Sequence, residues 1–362
     1  MLKQFSVFQK IFGSIVLLFA WSTFTEQASA DVPTGTIAFL SDRDKRLPVR
    51  GDLADIGVYL IDADGFNERP WIFSNIKHGP TAWSPDGKYI AYHMQGLFSA
   101  HIYLETPVTL PEDLEDFRKR PAPKGLFVVP DAPKPELKNI TAQLGGHKYL
   151  SPKWSPDGKW LALTSTDGSP DGMTDVCVMD LEGNQFRNLT QASGIDEVGS
   201  WSPDGSKIVF FSNRDGNGEI YVIDSNGKNQ VNLTNHPALD AAPTWSPDGT
   251  QIAFQSNREG DQDDIYVMNP DGDNLVNLTH RPWEERAPAW SPDGRWIAFH
   301  AFRLGKRPDI YVMDANGDKR WQLTANPASD TAPTWVIPDR SLSVKVSDNQ
   351  ATLWGRMKLG RQ

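Results

Sequence analysis

The sequence predicts an all-β protein: a six-bladed β-propeller of four-stranded antiparallel blades, closed by N- and C-terminal strands that share one blade. Three observations predict it. The pentapeptide WSPDG starts at Trp83, Trp154, Trp201, Trp245 and Trp290, with a degenerate copy, WVIPD, at Trp335. Successive tryptophans lie 71, 47, 44, 45 and 45 residues apart, and a period near 45 with strand-like content is that of one propeller blade. Between the copies run short apolar segments rich in β-branched and aromatic residues, punctuated by turn residues drawn from 29 Gly and 27 Pro.

Within one period, APTWS ending at Ser246 is a first strand and SPDG turns the chain. IAFQS from Ile252 is a second strand and DIYVMN from Asp264 a third. PDG turns again, and LVNLT from Leu275 is the fourth strand. Each turn residue has a physical reason. Pro presets φ, Asp bonds to nearby backbone, and Gly takes the left-handed conformation expected to close a three-residue hairpin. The turns at Asp62, Asp224, Asn269 and Asp314 repeat this logic; they lack the distal Glu of an EF-hand, so turn chemistry rather than calcium accounts for them. The second strands are apolar on both faces, as stacking between blades requires.

Six pairs of second and third strands follow: IAFL with VYLID, IAYHM with LFVVP, LALTS with VCVMD, IVFFS with IYVID, IAFQS with IYVMN, and IAFHA with IYVMD. The first pair has no preceding tryptophan strand, and the last tryptophan strand has no blade after it. Joining the two closes the ring and leaves no open sheet edge.

Residues 1–30 read as a secretory signal: Lys3 and Lys10, an apolar stretch IFGSIVLLFAW, and ASA ending at Ala30. That stretch is too short and interrupted for a membrane span, so none is expected after cleavage. The propeller is expected over 31–339 and a tail over 340–362. Net charge is −10 with no dense basic block, which argues against nucleic acid. Cys177, alone and between apolar neighbours, reads as a buried inert thiol.

The repeat APTWSPDGTQIAFQSNREGDQDDIYVMNPDGDNLVNLT resembles that of the TolB propeller, the periplasmic component of the bacterial Tol–Pal envelope system, over about residues 35–339. In that family an α/β domain, with a TolA-contacting segment, precedes the propeller; here only a few residues separate Ala30 from the first strand, so no counterpart is expected. The family's propeller meets the lipoprotein Pal, and the resemblance implies an analogous protein partner.

Residues recurring in every blade serve the blade. Arg214 with Glu219, Arg258 with Asp264, and Arg303 with Asp309 are expected to pair across their own loops, and Arg43 recurs at the same place. The NIT and NLT sequons at Asn139, Asn188, Asn232 and Asn277 are fourth strands repeating themselves. One repeated position points further. Five residues before each tryptophan stand His78, Tyr149, Asp196, Asp240, Glu285 and Asp330, which on channel-lining strands would ring one mouth of the channel. Four carboxylates there would attract a cation, a basic side chain or a polarised backbone, unless each only caps its own loop.

Two loops are singular: one of 23 residues in the first blade, with Arg46 and Arg50, and one of 39 in the second, with Phe117 and Arg118 and a short helix at PEDLEDF. Both are expected to leave the ring on the face of the carboxylates and to bind a partner. No G-x-S-x-G, H-E-x-x-H or P-loop motif occurs. The reading is a non-enzymatic, exported recognition or scaffold protein, periplasmic or secreted, monomeric, without cofactor, binding an envelope or extracellular protein or peptide. The alternative is a metal-assisted polysaccharide lyase or hydrolase at the channel mouth, recruiting His78, His147 and the carboxylates.

Overall fold

The computed structural model describes residues 32–43, 57–72, 77–78, 80–95, 100–105, 137–145, 147–166, 172–280 and 282–337. They form six antiparallel sheets, each a propeller blade, and contain no helix. Blade 1 holds β1 (Thr36–Ser41), β2 (Gly57–Asp62) and β3 (Arg69–Ile72). Blade 2 holds an inner strand in two pieces, β4 (Lys77–His78) and β5 (Ala82–Trp83), then β6 (Ile90–Gln95), β7 (Ala100–Glu105) and β8 (Leu137–Asn139). Blade 3 is β9 (Tyr149–Trp154), β10 (Trp160–Thr166), β11 (Thr174–Asp180) and β12 (Phe186–Asn188). Blade 4 is β13 (Asp196–Trp201), β14 (Lys207–Ser212), β15 (Glu219–Asp224) and β16 (Val231–Asn232). Blade 5 is β17 (Asp240–Trp245), β18 (Ile252–Ser256), β19 (Asp264–Met268) and β20 (Val276–Asn277). Blade 6 is β21 (Glu284–Trp290), β22 (Trp296–Phe302), β23 (Asp309–Asp314) and β24 (Arg320–Gln322). The last strand, β25 (Asp330–Trp335), returns to blade 1 as its inner strand, in the order β25-β1-β2-β3. The predicted closure is therefore the observed one.

The tryptophans are interblade bolts. Trp83, Trp201, Trp245 and Trp335 keep 6–9% of their surface exposed, and each indole burial contributes about 4–6 kcal/mol of gross transfer free energy. The indole N–H fixes the neighbour as well: Trp154 donates to Ala82 O at 3.0 Å, Trp201 to Lys153 O at 3.1 Å, and Trp335 to Ala289 O at 3.0 Å. Each acceptor lies one residue before the tryptophan position of the preceding blade, so the same contact is made at these three junctions, whereas the buried Nε1 of Trp245 and of Trp290 has no acceptor among the described residues.

The SPDG turn is held by its serine and aspartate. Ser202 Oγ donates to Asp204 Oδ1 at 2.6 Å, and the same Asp oxygen accepts the Ser206 amide at 3.0 Å. Gly205 N donates to Ser202 O, closing a β-turn with Pro at its second position. Ser202 N–H then bonds Lys207 O, so four residues, not three, bridge the strands. Gly205 has φ 71°, and a β-carbon on Gly294 would stand 3.3 Å from Pro247 Cγ of the preceding turn. Glycine is thus needed twice, for φ and for turn-on-turn packing.

The sequon-like N-x-T ends blades 2 to 5, and Gln322-Leu323-Thr324 takes its place in blade 6. Asn232 Oδ1 accepts the Thr234 amide, and Thr234 Oγ1 accepts the Ile220 amide from the third strand. Thr190, Thr279 and Thr324 accept from Val176, Ile265 and Ile310 in the same way. A hydroxyl replaces a ladder carbonyl, which lets the outer strand stop after two or three residues and the chain turn back toward the axis.

One element differs from expectation. The third strand of blade 2 is β7, carrying HIYLE, and not LFVVP, which lies outside the described residues. Tyr92 pairs with Tyr103 as Phe39 pairs with Tyr59 in blade 1, so β7 has the register of a third strand. The long segment therefore joins Glu105 to Leu137, which pair with each other next to Ile90, at the SPDG end of the blade. Phe117, Arg118 and the expected helix lie in that segment, outside the described residues, and its two ends are on the face opposite the carboxylates. The blade 1 loop, with Arg46 and Arg50, is also outside the described residues; its ends, Ser41 and Gly57, are level with Asp330.

Candidate functional site

The first residues of the inner strands sit at one mouth of the ring, and the structure gives the four carboxylates there a common environment. Asp196, Asp240, Glu285 and Asp330 are all 0% exposed. Each meets a guanidinium: Asp196 with Arg214 at 2.8 Å, Asp240 with Arg258 at 2.7 Å, Asp330 with Arg43 at 2.9 Å, and Glu285 with Arg320. A buried carboxylate bonded to an arginine does not project a free negative potential, so the expected anionic mouth is corrected to a ring of neutral ion pairs. Burial holds the Glu285 carboxyl above its ordinary value, partly offset by Arg320. Tyr149 is 1% exposed and donates to Leu144 O at 3.0 Å. His78 pairs with Met94 in the ladder at the same level.

The arginine pairing expected across the loops is corrected by the same observation. Arg214 and Arg258 reach back to the inner strand, whereas Glu219 accepts from Thr234 Oγ1 and the His236 amide, and Asp264 accepts from Thr279 Oγ1 and Asn277. The third-strand carboxylates thus tie down the outer strand. Each inward arginine also lies over a third-strand tyrosine: Arg43 on Tyr59 at 4.2 Å, Arg214 on Tyr221 at 4.9 Å, and Arg258 on Tyr266 at 5.2 Å. Its Nε donates to the serine two residues before it, Ser41, Ser212 or Ser256, at 2.8–3.0 Å. Sequence reasoning missed these serines and Arg320. The signal was present as Ser-x-Arg at 41–43, 212–214 and 256–258.

One residue along, uniformity ends. Leu150, Glu197, Ala241, Arg286 and Thr331 occupy equivalent places on five inner strands. Glu197 is exposed, yet burial by surrounding atoms raises its carboxyl above the ordinary value. Lys153, further down β9, keeps partial exposure while desolvation lowers its ammonium. Accessible groups that are nevertheless poorly solvated are what a narrow channel lining produces. Arg286 bonds Asp263 at 2.8 Å and pairs with Glu284, and Asp263 is raised by burial. His300, behind Arg286, is 7% exposed and pushed down to about 4 by desolvation and then by Arg286, so it is neutral at ordinary pH.

His93 accepts the Ser151 amide at 3.2 Å, a structural role between blades. Among the described residues no three of His, Cys, Asp and Glu are grouped so as to hold a metal ion, and no helix is long and apolar enough to cross a membrane. Cys177 is 1% exposed and its thiol is pushed up by burial.

Comparison with known proteins places this architecture. Residues 149–285 match the family model described as the TolB beta propeller domain. The structure superposes on TolB from Acinetobacter baumannii with a TM-score of 0.63 and 25% identity, covering 86% of this chain and 70% of that one. TolB from Agrobacterium tumefaciens gives a TM-score of 0.59 at 20% identity over 83% of this chain and 91% of that one. A puromycin hydrolase shares the fold at 15% identity and a TM-score of 0.52, with 82% of this chain covering 46% of that one. The described residues form a six-bladed propeller similar to that of the two TolB proteins, and an enzyme, the puromycin hydrolase, shares the fold.

Proposed function

We propose that this propeller is a non-enzymatic recognition protein of the cell envelope, exported by the segment 1–30 and acting as a monomer in the periplasm or outside the cell. It binds a protein or peptide at the channel mouth where the inner strands begin. The observation that carries this reading is the contrast between neighbouring positions there. Four of the six ring positions are carboxylates locked to arginines, whereas the next position is Leu150, Glu197, Ala241, Arg286 or Thr331. Locked positions make a rigid rim, and varied positions on a rigid rim give one orientation to an asymmetric partner. Asp196, Asp240, Glu285, Asp330 and Tyr149 enter the proposal as groups that position the rim, and His78 as a rim member. Arg46 and Arg50 belong to the loop whose ends are on that face.

Capture from envelope extract tests it, with the wild-type chain beside Glu197→Lys/Ala241→Arg, each with and without chelator. The proposal expects a protein retained by the wild type, lost with the variant and indifferent to chelator. Retention by both chains removes the mouth from the proposal. A stoichiometric divalent ion with cleavage of polysaccharide, and no retained protein, overturns it in favour of a metal-assisted carbohydrate enzyme.

A further inference from the structure

Blade 6 breaks the arginine pattern, and the break has a traceable cause. In blades 1, 4 and 5 the arginine after the second strand is fixed twice, by a serine Oγ on Nε and by the ring carboxylate on its outer nitrogens. In blade 6 the serine position is Ala301, which pairs with Glu285 and Asp309 as Ser256 pairs with Ala241's neighbour Asp240 and with Asp264. The ring carboxylate is the longer Glu285, and Arg320 from β24 has taken it. Arg303 is left without both partners.

Its guanidinium lies over Trp283 at 4.5 Å and Tyr311 at 5.3 Å. No carboxylate of the described residues lies within salt-bridge distance of it, and its buried Nε has no acceptor. Beside it the Tyr311 hydroxyl, on a residue 2% exposed, and Asp309 Oδ1, on a residue 6% exposed, also lack partners. Leu304, the next residue, is 99% exposed, and Lys306 is exposed in the same loop.

A guanidinium seated over aromatic rings can present a planar edge of N–H donors, which matches a carboxylate in two parallel bonds. An exposed leucine and a half-buried tryptophan at its side add the apolar contact of an interface anchor. We propose that Arg303, seated on Trp283 and Tyr311, is the docking point for a carboxylate side chain of a partner peptide, with Leu304 covering the aliphatic part of the same segment. The inference rests on the recognition reading above and names the chemistry of its partner. Burial and Asp330 raise the Asp309 carboxyl, while Arg303 and Lys306 act in the opposite sense.

The test is selection of a displayed library of random twelve-residue peptides on the full chain, followed by affinity measurement of the recovered peptides. Two variants are compared with the wild type: Arg303→Gln, and Ala301→Ser, which restores the hydroxyl that holds Nε in the other blades. Both are checked for an unchanged melting profile. Expected are peptides enriched in Asp or Glu that bind Arg303→Gln about tenfold more weakly or worse, the loss expected for a charge-assisted pair. Ala301→Ser is expected to weaken them as well, because its Oγ takes the Nε donor and fixes the guanidinium in the setting it has in blades 1, 4 and 5. Peptides without acidic enrichment, or acidic ones that bind both variants as well as the wild type, overturn the inference. If those peptides are instead lost with Glu197→Lys, recognition at the mouth stands while the assignment to Arg303 falls. If no peptide is recovered and envelope extract yields no retained protein, the recognition reading itself falls, and this inference with it.

Discussion

Replacing Asp240 by leucine tests the claim that the mouth is built from locked ion pairs. The Asp240 side chain is 0% exposed and bonded at 2.7 Å to Arg258, whose own side chain is 12% exposed. Leucine of similar size leaves the guanidinium desolvated with Ser256 Oγ at 3.0 Å and the faces of Phe254 and Tyr266 at 5.5 and 5.2 Å, but without a counter-charge. Stranding one member of a buried pair costs about 3–5 kcal/mol. With a urea m-value of about 3 kcal/mol/M for a chain of this size, the midpoint should fall by about 1 M or more. The assay is urea unfolding followed by tryptophan fluorescence for the wild type, Asp240→Leu, Arg258→Met and the double variant. The double variant, having no stranded charge, is expected within about 1 kcal/mol of the wild type. A coupling energy below about 0.5 kcal/mol, with the two single losses simply adding, would refute the pairing as the force that holds the rim.

Three further outcomes are expected. Gly199 stands where blades 3, 5 and 6 have Pro152, Pro243 and Pro288, and a β-carbon there would lie 2.4 Å from Pro243 O and 2.7 Å from Val209 O. Gly199→Ala should therefore lose about 1–3 kcal/mol by overpacking, measured as the same midpoint shift, and an unchanged midpoint would show that the interblade gap can open. The turn aspartates Asp157, Asp204 and Asp248 are held below the ordinary value by the hydroxyls of Ser155, Ser202 and Ser246. A lowered folded-state value gives stability that is present above the unfolded carboxylate value, near 4, and is lost as pH falls through the folded one. Unfolding midpoints should decline below about pH 4, and Ser202→Ala should flatten that decline; an identical acid slope in the variant would contradict the turn chemistry. The Cys177 thiol should resist a thiol-modifying reagent in the native chain and react fully in denaturant, whereas rapid native labelling would contradict its burial.

Much of the ring was legible in one line of sequence because it repeats. The 45-residue period, the tryptophans, the turns and the shared closing blade all follow from local rules applied six times. The one misplaced strand, LFVVP for HIYLE, arose where blade 2 loses periodicity, since apolar runs of equal quality compete once spacing no longer decides between them. The candidate site was half legible. Its positions could be found by counting back from each tryptophan, so sequence placed Asp196, Asp240, Glu285 and Asp330 together. It did not supply their ionic state, because a carboxylate's partner depends on which side chain the fold brings beside it. Arg214 is 18 residues from Asp196 and five from Glu219, yet strand pairing sets Asp196 opposite Ser212 and carries Arg214 to the more distant acid. The same geometry made Arg303 distinctive, through a missing hydroxyl at Ala301 and an arginine 35 residues away from Glu285. Local chemistry along the chain determined that there are blades and where each turns. Only the tertiary structure decided which charges cancel, because electrostatic pairing acts through a few ångströms of space and takes no account of separation in sequence.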